Sequence, residues 1–137
     1  MEISINYLGV LIAGIGGMVV GALWYSPILF GKLWTSLSCM TEEQMAASKA
    51  KGMGKTYTIT FIFELVTAYV LAHFISILAI EGVSAASSLV FWAWLGFIVP
   101  VMIGSMLWEK KSFKLFVLNA TSRLISLFVM GIMLLLI

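Results

Sequence analysis

Residues 57–80 read YTITFIFELVTAYVLAHFISILAI. The run holds one carboxylate and one imidazole and is otherwise apolar or hydroxylated, and it exceeds the roughly 20 residues a helix needs to cross a bilayer core. It has no polar-apolar alternation, which a barrel strand of about 10 residues would show. A lone strand would also leave its backbone polar groups unpaired in lipid, whereas a helix satisfies its own. Working outward, the same reading holds for residues 5–28, 89–108 and 115–137. The expected fold class is all-α: an integral membrane four-helix bundle forming a single membrane domain over residues 1–137.

Composition points the same way. The chain is 62% hydrophobic and 10% charged, where soluble domains carry about 25% charged residues. Its formal net charge of +2 does not suggest a nucleic-acid partner, because the basic residues flank the spans instead of forming a separate face. Cys39 is the only cysteine, which excludes an intrachain disulfide and a cysteine-built zinc site. No metal and no cofactor is expected. Met1-Glu2-Ile3-Ser4 lacks the positive start of a secretory signal, and the apolar run after it is too long for one. The first span is therefore expected to be retained.

Lysines set the expected orientation. Lys32, Lys49, Lys51 and Lys55 lie between the first two spans and Lys110, Lys111 and Lys114 between the last two, while the opposite side offers only Glu2 and Glu81. By the positive-inside rule the basic loops face the cytosol and both termini face outside, in a cell membrane or a bacterial inner membrane. Within the first loop, Thr41-Glu42-Glu43-Gln44 has the form of a capping box. It predicts a short interfacial helix from Glu42 to about Lys51, acidic at its start and basic at its end as the helix dipole favours.

Small residues mark helix-packing faces. Gly9, Ala13, Gly17 and Gly21 recur every four residues in the first span, and Gly96, Pro100 and Gly104 do so in the third, a spacing that permits close backbone approach. The partner of each face is a helix of the same chain or of a second copy.

Ionisable groups inside a membrane are costly and usually face a bundle interior or cavity. Here they are Glu64, His73 and Arg123. Glu64 and Arg123 lie at similar depth from the basic side. Thr60 and Thr67 share the Glu64 face, while Asn119, Ser122 and Ser126 share that of Arg123. The spacing predicts a Glu64–Arg123 pair across the second and fourth spans, read either as a gate or substrate site or as an ion pair that fixes register. A third reading has Arg123 snorkelling to the interface. His73 points away from this stripe and reads as a helix–helix hydrogen bonder.

Trp24, Tyr25, Pro27 and Trp34 form a dense aromatic motif at the basic interface, read as a membrane belt or as a ligand pocket. Tyr7, Trp92 and Trp94 read as the opposite belt. Ser26-Pro27 should end or bend the first helix, and Gly31 should let the chain turn along the membrane.

The segment GALWYSPILFGKLW at residues 21–34, Thr41-Glu42-Glu43, WLGFIVP at residues 94–100, Trp108-Glu109, Asn119 and Met130-Gly131 together resemble the domain-of-unknown-function family 1761. This is a family of small membrane proteins found mainly in bacteria. The resemblance covers nearly the whole chain and implies four spans and membrane residence. It implies no activity and no catalytic residue.

The chain also reads as two hairpins of like plan, each with a descending helix, a basic loop and a returning helix carrying one charge. The leading functional expectation is a small transporter-like or solute-binding bundle in the lipid bilayer. Because four short helices enclose little volume, that reading calls for a homodimer. The alternative is a non-transporting accessory protein that packs against another membrane protein. No activated nucleophile, metal cluster or paired-carboxylate site is present in the sequence, so an enzyme is not expected.

Overall fold

The structure is a computed structural model and describes residues 3–38 and 42–137. Among these the chain is all-helical, and four of its helical segments are long and apolar enough to cross a membrane.

The first, α1 (Tyr7–Trp24), is capped by Asn6, whose Oδ1 accepts from the Leu8 and Gly9 amides at 3.1 and 3.3 Å. It stops four residues before the expected end. Ser26 Oγ donates to the Leu23 carbonyl at 2.7 Å, and Pro27 has no N–H with which to continue the helix. The chain then folds back on itself, with the Ser26 carbonyl accepting from both Leu29 and Gly31. Gly31 is required at that turn: a Cβ there would stand 2.5 Å from the Tyr25 carbonyl oxygen and 2.8 Å from the Ser26 carbonyl.

Two short helices follow, α2 (Gly31–Leu37) and α3 (Glu42–Ala50). The sequence led us to expect only the second, because seven residues are too few to display a helical period. Thr41 of the expected capping box, and Cys39, lie outside the described residues. The second span, α4 (Gly54–Ile77), begins three residues earlier than expected.

The third span begins six residues earlier than expected and runs from Val83 to Glu109. It comprises α5 (Val83–Ala93), a π-helical turn (Trp94–Ile98) and α6 (Val99–Glu109). Its rise of about 40 Å exceeds a ~30 Å hydrocarbon core, so its serine-rich start can lie among headgroups. That polar start is why hydropathy alone placed Ser84, Ser87 and Ser88 in a loop. The widened turn has a cause in Pro100, which cannot donate to the carbonyl four residues back and whose ring crowds it. Lys110, in the left-handed conformation, ends α6. Ser112 then caps the fourth span, α7 (Phe113–Leu136), accepting from the Leu115 amide at 3.1 Å.

Helix α1 packs between α4 and α7, while the third span leans chiefly on α7. Val10, Ala13, Ala68, Leu71, Ala72, Val90, Leu127 and Met130 form the core. Glycines let the backbones approach, on two faces of α1 and not on one stripe. A Cβ at Gly14 would meet the end of Leu65 on α4, and one at Gly16 would meet Met133 on α7. Gly17 faces both Met130 and Glu64. Gly9 is buried beside its own cap residue, Asn6, and Ala13 is fully buried. The other small residues do not pack within this chain: a Cβ on Gly21, Gly96 or Gly104 would touch nothing within 4 Å. For the two in the third span the reason is its peripheral position, since only 6% of its apolar window is buried against 44% for α7.

Candidate functional site

Glu64 and Arg123 each stand ten residues past the first residue of a 24-residue helix, α4 and α7. Ten residues of rise is about 15 Å, and the two helices start from the same end of the bundle. The two side chains therefore meet at one depth. Arg123 Nη1 donates to Glu64 Oε1 at 2.8 Å, and the side chains are 31% and 11% exposed respectively. Gly17 of α1 makes room for the carboxylate, since a Cβ there would lie 2.6 Å from Glu64 Oε2.

The pair is only half satisfied. Glu64 Oε2 is buried and has no hydrogen-bond partner, and the same holds for the hydroxyl of Ser126, one turn along α7 from Arg123. A carboxylate oxygen accepts hydrogen bonds and a guanidinium offers five N–H donors, so capacity remains on both sides.

The residues that carry it border open space. A cavity of about 720 Å³ is lined by Glu64, Arg123, Ser122, Ser126, Thr60 and Gly21, among others. A second, of about 930 Å³, is lined by Arg123, Asn119, Lys32, Trp34, Met53 and Met102, among others. Tyr25, Tyr57 and Arg123 belong to both linings and form the wall between them. Tyr25 is fixed there by its hydroxyl, which donates to Asn119 Oδ1 at 2.7 Å, and by an edge contact with Trp34 at 6.1 Å between ring centroids.

The remaining candidates fall in different places. The Thr60 hydroxyl lines the smaller cavity and donates to the Thr56 carbonyl at 2.8 Å. Thr67 donates to the Phe63 carbonyl of its own helix at 3.0 Å and lines neither cavity. Pro27 lines the larger one. Trp24 lines neither; its ring lies 4.5 Å from that of Phe30, and its Nε1 is buried without a partner. His73 contacts the carbonyl and ring of Tyr69 in its own helix, instead of bonding between helices.

Trp94 departs from the expected outer belt. Its Nε1 donates to the Ala120 carbonyl of α7 at 2.8 Å, one turn from Arg123. Its place after the eleven residues of α5 puts it about 16 Å into the span, too deep for an interface anchor. Tyr57, Met53 and Met102 were missed as cavity residues, and Lys32 was read only as a topology signal. The lysine sits on α2, and no sequence pattern placed that helix over the mouth of the bundle.

The groups gathered here are polar and able to hydrogen-bond: an acceptor, hydroxyls, phenols and a guanidinium around open space. Both cavities are lined by residues of a single chain.

The family model described as "Protein of unknown function (DUF1761)" matches residues 8–135. No curated protein matches the chain, and no solved structure does.

Proposed function

This chain belongs to the DUF1761 family, and from that premise we propose that it is a solute-binding, transporter-like membrane bundle centred on Glu64 and Arg123. The observation that carries this reading is the half-satisfied ion pair on a cavity wall. An intact pair in a dry core would need no more than register fixing to explain it. A buried carboxylate oxygen left without a donor is costly, by about 1–3 kcal/mol or more, unless water or a solute supplies one. Glu64 lines a space of about 720 Å³, which has room for either beside the carboxylate. In the orientation that the lysines favour, the cavities open toward the cytosolic side.

Solvent access is the test. In a Cys39→Ser background, Thr60→Cys places a thiol in the smaller cavity, and Val70→Cys places one on an exposed apolar face. Reaction with a charged, membrane-impermeant thiosulfonate requires water at the thiol. Thr60→Cys is expected to react from the basic side of the membrane while Val70→Cys stays silent. If Thr60→Cys is silent from both sides, the core is dry, and the accessory-protein reading replaces this one.

A further inference from the structure

We propose that the larger cavity binds an amphipathic anion, with its phosphate-like or carboxylate group between Lys32 and Arg123 and its apolar body against Trp34, Met53 and Met102. The proposal rests on the solute-binding reading above and gives that solute a chemical class.

The charge distribution carries the inference. Lys32 and Arg123 line the larger cavity, and among the described residues no aspartate or glutamate does; Glu64 lies on the smaller one. Arg123 donates through Nη1 to Glu64, which leaves other N–H groups of its fork for a second acceptor. Lys32 adds a point charge on a long flexible stem. The amide N–H of Asn119 and the phenol of Tyr57 stand among them and can donate to an oxyanion, while the Tyr25 hydroxyl already donates to Asn119 Oδ1. Such a wall would repel an organic cation, while the smaller cavity, where the Glu64 carboxylate offsets the charge of Arg123, would not.

The cavity's position fixes the rest of the ligand. Lys32 and Trp34 come from α2, beside the end of α1, and Met53 and Tyr57 from the start of α4. Arg123 lies about 15 Å into α7. The cavity thus starts at headgroup level and runs inward over thioether and aromatic surface. Methionine and tryptophan side chains suit an apolar chain or ring of variable shape, and about 930 Å³ is the size of site that holds a drug-sized ligand. An anionic lipid headgroup and a free amphipathic phosphate share this chemistry.

The test uses the purified full chain in an uncharged maltoside detergent, titrated with hexyl phosphate and, separately, with hexyltrimethylammonium. Trp34 fluorescence is the reporter, isolated by subtracting the Trp34→Phe variant. A saturable change is expected with the phosphate and none with the ammonium, and Lys32→Gln should weaken phosphate binding about tenfold, the loss of one charge-assisted contact. Lys32 is exposed on a surface helix, so the variant keeps the fold. Equal responses to both amphiphiles, or unchanged affinity in Lys32→Gln, would overturn the proposal.

Two arms then separate the sources. Bilayer discs made with acyl-brominated phosphatidylglycerol or phosphatidylcholine report a lipid ligand through stronger Trp34 quenching by the anionic lipid. Hexyl phosphate binding in phosphatidylcholine discs, with no difference in quenching between the lipids, reports a free solute. If Thr60→Cys is water-accessible but neither anion binds, the solute-binding reading stands and the anion assignment fails. If Thr60→Cys is silent, the failure is that of the earlier reading.

Discussion

A carboxylate placed about 15 Å into a bilayer helix needs a reason, and Glu64 has two neighbours that supply one: the guanidinium of Arg123 on α7 and the missing side chain of Gly17 on α1. They make different predictions. Arg123→Ala removes the donor at Oε1 and leaves the carboxylate without a partner at either oxygen, a change expected to cost about 3–5 kcal/mol. Glu64→Gln/Arg123→Gln leaves no buried charge and should cost less than Arg123→Ala alone, as read by denaturation in mixed micelles; equal or additive losses would remove the pair from the stability argument. Gly17→Ala keeps both charges but drives a methyl group toward the carboxylate and toward Met130. The thioether end can swing aside, whereas the carboxylate cannot move without lengthening its bond to Arg123. A loss of about 1–3 kcal/mol is expected, with Gly21→Ala as the neutral comparison because its Cβ meets nothing. Glu64 and Arg123 were legible in the sequence because ionisable groups stand out in apolar spans. Lys32 and Tyr57 were not, since a cavity-lining residue at the interface has the same composition as a topology signal or an aromatic belt.

Among the elements, the turn between α1 and α2 does most to shape the larger cavity. It carries Tyr25 to Asn119 and sets Lys32 and Trp34 over the mouth. Its closeness depends on Gly31, where an added Cβ would meet backbone atoms of Tyr25 and Ser26, which cannot rotate away. Gly31→Ala is therefore expected to open the turn, weaken the Tyr25–Asn119 bond and destabilise the protein by about 1–3 kcal/mol. Trp34 fluorescence should shift in the same variant, and an unchanged spectrum would show that α2 docks without this turn. Ser26-Pro27 was legible as a helix end because a proline lacks the donor that the next turn requires. The π-helical turn at Trp94–Ile98 was not, although Pro100 was in view. A proline announces a disturbed helix, but kink, break and widened turn share that signal. Here the widened turn forms, and its first residue, Trp94, donates to the Ala120 carbonyl of α7. Helix α1 follows the same logic: the four-residue stripe took in Gly9, Gly17 and Gly21 but not Gly14 or Gly16, and only the placement of Leu65, Met130 and Met133 on its neighbours shows which glycines meet α4 and α7.

At the scale of the whole molecule the asymmetry lies in the third span. Helices α1, α4 and α7 hold both the polar centre and most of the core, while the third span touches chiefly α7 and leaves Trp92, Phe97 and Val101 exposed. Its Gly96 and Gly104 face open space, and apolar surface of this kind is covered in a membrane either by acyl chains or by another helix. The two coverings respond oppositely to bulk. Acyl chains conform to a larger side chain, so Gly96→Leu and Gly104→Leu should leave stability within about 0.5 kcal/mol. A helix seated on a small-residue stripe is pushed away by the same change. The third span supplies neither residue of the ion pair, and of the two cavities it lines only the larger, through Met102, so we expect the lipid outcome. The double substitution Gly96→Leu/Gly104→Leu should leave unaltered both the melting temperature and the particle mass measured in bilayer discs, together with the reactivity of Thr60→Cys. A fall in mass with melting unchanged would instead place a second copy of the chain on this face. In that case the third span, which contributes least to the core, would be the element that joins two bundles while the other three form the binding site.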